Sequence, residues 1–321
     1  MAATLNLLTK RSGSSRPTRR GGPGDAPEPA SGGRTSRRRA EPRPPRRLPR
    51  FEPTMANLIA ASLIGLTLLI LAFGGFLLGA SKLKASREQD VLYSQLTKSL
   101  GEATVPVSGA IPTGTPLGIL EIPKIGVEQV FLEGSASEQT AVGPGLRHDS
   151  SLPGQAGLSV IVGRRATFGA PFADLDRLEP GDRIEVTTGQ GEFTYVVDLV
   201  RTSDAAPTQI RKVDSRLTLV TSDPAITPNR TLTVSGVLQG EAQPKATGTA
   251  TVAADAPGEG SSGHLVALLL WSQLLLLVAL TVTWAATKVP GRALWIGAVP
   301  VLIALLWNVY TNLAFLLPNT L

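Results

Sequence analysis

The chain has 321 residues, with 31 Lys+Arg against 25 Asp+Glu, two histidines and no cysteine. The missing cysteines exclude disulfides, thiolate metal ligands and a thiol nucleophile. His148 and His264 alone cannot build a histidine-rich metal site, so no cofactor is expected. The net charge of +6 is uneven: residues 1–54 hold 13 Lys+Arg against 4 acids, residues 80–263 hold 16 against 21, and this pattern argues for a basic segment beside a membrane rather than for nucleic acid as a partner.

Residues 1–54, rich in Arg, Pro, Gly and Ser, lack the apolar content to form a core and are expected to be a disordered tail. Three uncharged apolar runs follow at 56–79, 265–286 and 293–317, each close to the ~20 residues that cross a bilayer. They predict transmembrane helices over 55–79, 264–286 and 293–317. The positive-inside rule places the Arg-rich tail and the 287–292 loop, TKVPGR, in the cytoplasm. Residues 80–263 and the tail 318–321 then lie outside, in a multi-pass protein of the cell membrane. A cleaved signal peptide fits less well, because the preceding tail is long and no A-x-A site follows the first run. Residues 80–115 form a stalk, helical over 81–100, and residues 241–263 a flexible linker.

The remaining stretch, 116–240, is the globular domain. Its apolar segments are short and punctuated: LGILEI, VEQVFLE, LSVIVG, DRIEVTT, GEFTYVVDLVR, RLTLVTS and RTLTVSGVL. Period-two alternation in GEFTYVVD and TLTVSGVL, with PG, TGQGE and TPN between runs, predicts strands at hairpin spacing. Such spacing suits a closed β-barrel better than a βαβ sheet, with one helical turn in FADLDRLEPGD. The fold class expected is mainly β, a barrel outside the membrane with three transmembrane α-helices.

This domain resembles the sortases, membrane-anchored cysteine transpeptidases of Gram-positive bacteria, over essentially all of 117–238. LGILEIPKIGVEQVFLEG is similar to the first barrel strands. The segment from AVGPGLRHD to DRIEV is similar to the region bearing the family's catalytic histidine. RLTLVTSDP is similar to the nucleophile strand, and NRTLTVSGVL to the strand with the catalytic arginine. The likeness is greatest to the actinobacterial class E type. It implies a barrel whose groove receives LPxT-like peptides or cell-envelope proteins, next to a lipid bilayer.

The departures fall on the catalytic positions. Gly163-Arg164-Arg165 stands where the family has glycine-histidine-arginine, and Thr218-Leu219-Val220-Thr221-Ser222 where it has T-L-x-T-C. By resemblance Ser222 occupies the nucleophile position, Arg164 the histidine position and Arg230 the arginine position; a one-residue register change would put Thr231 at the last. A thiol with a pKa near ~8.5 ionises readily, whereas a serine hydroxyl needs a neighbouring base. A guanidinium has donors only and cannot be that base. The expected consequence is a degenerate sortase that binds without thiol transpeptidation. The alternative is a serine-dependent hydrolase or transpeptidase using His148, Asp149 or Asp223. Arg164 and Arg165 have two readings, a cationic groove wall or a solvated loop bonded to Asp174 or Asp176.

The sequence closes on Leu317-Pro318-Asn319-Thr320-Leu321, which resembles an LPxT sorting motif, although in sorting signals the motif precedes the apolar span. Pro318 ending the third helix accounts for it. A second reading puts residues 317–321 in the groove.

Overall fold

The computed structural model describes residues 54–203, 215–244, 260, 263–288 and 292–321. The basic segment 1–53, most of the 241–263 linker and the centre of the 287–292 loop lie outside the described residues, as do the expectations made for them.

Eight strands close into a barrel: β1 (Pro116–Ile122), β2 (Val127–Glu133), β3 (Gly145–Leu146), β4 (Gly157–Val162), β5 (Arg183–Thr188), β6 (Gly191–Thr202), β7 (Ser215–Asp223) and β8 (Arg230–Leu238). The order around the barrel is β1-β2-β3-β4-β7-β8-β6-β5, with β5 closing on β1. The β2–β3 and β4–β7 pairs are parallel and the others antiparallel. Alternation selects the inward face: Phe193, Tyr195 and Val197 on β6 and Ile184 and Val186 on β5 enter one core with Leu120, Phe131, Ile161, Leu219 and Val234. Burying each such side chain contributes about 1.5–3 kcal/mol, which is why period two is so clear along these strands. The expected helical turn appears as a 3₁₀ turn at Leu175–Arg177.

Among the described residues five α-helices accompany the barrel: α1 (Met55–Gly75), α2 (Ser81–Gly101), the single turn α3 (Ser137–Thr140), α4 (His264–Lys288) and α5 (Arg292–Phe315). A π-helical turn, Phe76–Ala80, joins α1 to α2 without a break. Residues 55–101, α4 and residues 294–315 of α5 are three helices long and apolar enough to cross a membrane. Leu63, Ile64, Leu68, Leu276 and Leu280 are among the apolar side chains they leave exposed, a surface suited to lipid. With 44% of the described residues in helix and 26% in strand, the mainly β class holds for the barrel and not for the described chain as a whole.

Among the contacts that fix the barrel relative to these helices, two are apolar clusters. Leu96 of α2, with Leu92 and Leu100, packs on Ile119 and Val130 outside the barrel. Gln89 adds a polar clamp: its amide nitrogen donates to the carbonyls of Val130 and Val142, and its oxygen accepts from Val130 N–H at 2.9 Å. The second contact joins α1 and α5. The Tyr310 hydroxyl donates to the Leu69 carbonyl at 2.8 Å, and Phe76 meets Trp307 edge-on at 5.0 Å. Phe76, Tyr310 and Ala314 share one buried cluster with Phe168 and Ala141 from barrel loops. The end of α5 is thereby brought against the loop that follows β4.

Candidate active site

The parallel pairing of β4 with β7 sets Val162 beside Val220, so the loop leaving β4 runs along the end of β7 where Ser222 stands. Gly163 makes the junction, donating to the Val220 carbonyl at 3.0 Å and accepting from the Thr221 hydroxyl at 2.8 Å. A Cβ at Gly163 would lie 2.4 Å from the Phe172 ring, so glycine is required by close approach. Further along the loop Phe168 has φ of +52°, a conformation uncommon outside glycine. It is held there by a hydrogen bond from its N–H to the Ser81 hydroxyl and by stacking on Phe315.

Arg164 is fully buried. Its guanidinium lies 4.7 Å from the Phe168 ring centre and donates to the Thr167 hydroxyl at 3.1 Å, the Ser137 carbonyl at 3.0 Å and the Ser137 hydroxyl at 3.2 Å. Desolvation pulls its pKa down to about 9, opposed by the charge of Glu138, which still leaves a cation at neutral pH. Arg165, also buried, donates to the Ser222 carbonyl at 2.9 Å and pairs with Asp223 at 2.8 Å and Asp176 at 3.1 Å. The solvated-loop reading of these arginines is thus replaced by two buried cations, of which Arg165 does meet the anticipated Asp176.

Arg230 lies opposite Asp223 across the β7–β8 pair and binds it at 2.7 Å, while Thr231 lies opposite Ser222. Asp223 is therefore shared by two guanidinium groups. Asp149 is bound by Arg147 at 2.6 and 3.0 Å, and His148 bonds through Nδ1 to Glu133 at 2.7 Å and through Nε2 to the Thr113 hydroxyl at 3.3 Å. Both of its ring nitrogens are engaged away from Ser222.

The groove between the β4 loop and the end of β7 holds residues 317–321. The Thr320 carbonyl accepts from the Ser222 hydroxyl at 2.9 Å and from the Arg165 backbone N–H at 3.1 Å. A Leu321 backbone oxygen accepts from the Thr167 hydroxyl at 2.8 Å and from the backbone N–H groups of Ala166 and Thr167 at 3.3 and 3.1 Å. The Leu317 carbonyl accepts from the Ser137 hydroxyl at 2.8 Å, and the Asn319 amide donates to the Ser135 carbonyl at 2.7 Å.

Arg164 organises this set without touching it. Ser137 and Thr167 each accept a hydrogen bond from the guanidinium, which leaves their own protons for the backbone oxygens of Leu317 and Leu321. Two donors converge on the Thr320 carbonyl, the arrangement that would polarise it towards attack. Ser222, however, uses its proton as one of those donors.

Residues 120–239 match the Sortase domain family. The chain is 32% identical over 167 residues to Sortase D of Bacillus subtilis, an alignment covering 49% of this chain and 82% of that protein. The chain belongs to the sortase family. Among solved sortases, a Clostridium perfringens Sortase D5 transpeptidase is 23% identical, with 50% of this chain and 100% of that one covered and a TM-score of 0.38. Sortase E1 of Streptomyces coelicolor, solved with a tripeptide in its active site, is 27% identical, with coverage of 40% and 90% and a TM-score of 0.36. The Bacillus subtilis relative and the domain match establish membership at the level of the family.

Ser135, Ser137 and Thr167 were not legible as groove residues in this sortase. They are small polar residues in loops or the single turn α3, and their role comes from contacts with Arg164 or with the 317–321 segment. Glu138 is a further one: it bonds His264 at the start of α4, linking α3 to the helices.

Proposed function

We propose that this chain is a membrane-anchored sortase-family protein that no longer carries out thiol transpeptidation and instead holds a sorting-signal-like peptide, or an envelope protein bearing one, in its groove. The observation that carries this reading is the Ser222 hydroxyl acting as a donor to a peptide carbonyl. An attacking serine must lose that proton to a base as its oxygen approaches the carbonyl carbon. The three candidates are otherwise engaged, Asp223 by Arg165 and Arg230, His148 by Glu133 and Thr113, and Asp149 by Arg147. Removing one member of a catalytic triad lowers turnover by ~10⁴-fold, and here both thiol and imidazole are replaced.

The distribution of Lys and Arg supports a cytoplasmic basic tail and an extracytoplasmic barrel. Within the family, the class E type is our subclass reading, on the sequence segments quoted above. The test uses the full-length protein in lipid nanodiscs, offered LPxT-containing peptides and an acceptor amine. No Ser222-dependent product should appear by mass spectrometry. Product that forms and disappears in Ser222→Ala would make the protein a serine-dependent hydrolase or transpeptidase and overturn this reading.

A further inference from the structure

We propose that residues 317–321 are the groove's own ligand, a Leu-Pro-Asn-Thr-Leu segment delivered in cis by α5, so that a free peptide of the same chemistry binds only by displacing it. This rests on reading the groove as a peptide site.

Three features distinguish a seated ligand from the packing of a helix end. The first is carbonyl recognition. Leu317, Thr320 and Leu321 each present a main-chain oxygen to a side-chain hydroxyl, from Ser137, Ser222 and Thr167 respectively, and backbone N–H groups of residues 165–167 add to two of them. Main-chain bonding of this kind recognises an extended or turned peptide whatever helix precedes it. The second is registration. A turn closed by Leu321 N–H to the Pro318 carbonyl at 3.1 Å puts the Thr320 carbonyl, and no other, on the residue at the nucleophile position. The third is selection at the variable position of the motif. Asn319 is fully buried with its amide on the Ser135 carbonyl, a subsite that matches a carboxamide and would leave a carboxylate facing an acceptor.

The delivery is equally defined. α5 ends at Phe315, and Leu316 and Leu317 continue its hydrogen bonding to the carbonyls of Leu313 and Ala314, so no slack separates helix from ligand. Phe315 stacks on Phe168 of the groove loop and packs near Lys84 of α2. A ligand tethered by a short linker faces its site at an effective concentration on the order of mM. A free peptide must exceed that competition to enter.

The absence of native cysteine makes a direct test available in the full-length protein in nanodiscs. Cysteines introduced as Ala166→Cys and Leu321→Cys are treated with a short bismaleimide, and intact mass separates one bridging linker from two pendant ones. In parallel, a fluorescent Leu-Pro-Asn-Thr-Leu peptide is titrated into the unmodified chain and into a chain whose residues 317–321 are replaced by Gly and Ser. Bridging should dominate, should fall with Asn319→Asp, and the free peptide should bind the replaced chain at least ten-fold more tightly. Pendant linkers only, or equal peptide affinity for both chains, overturns the cis ligand while leaving the groove a peptide site. Bridging that is sensitive to Asn319→Asp, in a protein whose emptied groove takes no free peptide, supports the cis seat and instead overturns the sorting-peptide reading of the preceding subsection.

Discussion

The Ser222 hydroxyl and the Thr320 carbonyl oxygen stand 2.9 Å apart, with the Arg165 backbone N–H on the same oxygen at 3.1 Å. This is half of an acyl-transfer site: the carbonyl is held and polarised, and the group that should attack it is one of the groups holding it. On the reading proposed above, Ser222→Ala should remove a binding contact and no chemistry. A neutral hydrogen bond contributes about 0.5–1.5 kcal/mol, so release of residues 317–321 should increase about two- to ten-fold. The cysteine-bridging yield between positions 166 and 321 would report it, and an unchanged yield would mean that the Ser222 bond contributes nothing to the seat.

Restoring the family's residues turns the same geometry into a reaction with a built-in substrate. In Arg164→His with Ser222→Cys, the thiolate sulfur would add to the Thr320 carbonyl carbon and the Thr320–Leu321 amide would break. The departing amine would take its proton from the imidazolium, and water would then release the thioester as a Thr320 carboxylate. Intact mass should show loss of everything after Thr320. The Ser222→Cys single variant lacks the proton donor and should show slower loss, though Arg165 alongside favours its thiolate and hence rapid alkylation. An uncleaved double variant with an alkylatable cysteine would show that the carbonyl and position 222 do not meet in reacting geometry once the Arg164 guanidinium is gone.

Arg164→Lys tests the organising role of the guanidinium. Lysine cannot span Ser137 and Thr167 as the planar fork does, so both hydroxyls lose their fixed orientation and the 317–321 segment should bind more weakly. The charge brings a pH signature. Burial already lowers Arg164 to about 9, and a lysine, which starts roughly two units below arginine, would be brought down towards neutrality. A basic group whose folded pKa lies below its unfolded one binds more protons when unfolded, so stability rises with pH between the two values. For Arg164 that window begins near 9. In the lysine variant it should open at lower pH, giving a denaturation midpoint that climbs through the range where the native protein is flat. A flat profile in the variant would place the ammonium in water.

Much of this architecture is legible in the sequence, for identifiable reasons. β6 and β8 declare themselves because one face is buried and the other wet, and the apolar helices because their runs contain no charge. β3, by contrast, is two residues long, too short to alternate, and α3 is a single turn. The π-helical join at Phe76–Ala80 is also silent, since the change from apolar run to charged stalk suggests a boundary where the backbone has none. Ser222, Arg164 and the 317–321 motif can each be found by resemblance. Their convergence cannot, because it depends on contacts 98 and 27 residues apart in sequence, from Ser222 to Thr320 and from Ser137 to Arg164.

Gln89 is the polar link between stalk and barrel, and Gln89→Leu tests it with little change in volume. The Val130 N–H and the carbonyls of Val130 and Val142 would lose the partner they have in the amide. Leaving such buried groups unsatisfied costs about 1–3 kcal/mol each. Hydrogen exchange at the Val130 amide should accelerate sharply, with the barrel's inner strands unaffected. Equal protection in both proteins would mean that water replaces the amide at no cost.

The last expectation concerns Glu121, which faces Glu128 across β1–β2 and Glu185 across β1–β5. Desolvation, then repulsion from Glu128, Glu185 and Glu192, raises its pKa above the usual 4.5. An acid whose folded pKa exceeds its unfolded one holds more protons when folded. Its favourable contribution is complete below 4.5 and is lost as pH rises through the folded value. At neutral pH the native protein therefore carries a like-charge cluster that Glu121→Gln would relieve, by about 0.5 kcal/mol on the scale of cross-strand pairs. The variant should melt slightly higher at pH 7, the advantage should vanish below pH ~4.5, and added salt should shrink it because the cluster lies near solvent. A variant that melts lower at pH 7 would mean that Glu121 is held by a favourable contact stronger than the repulsion.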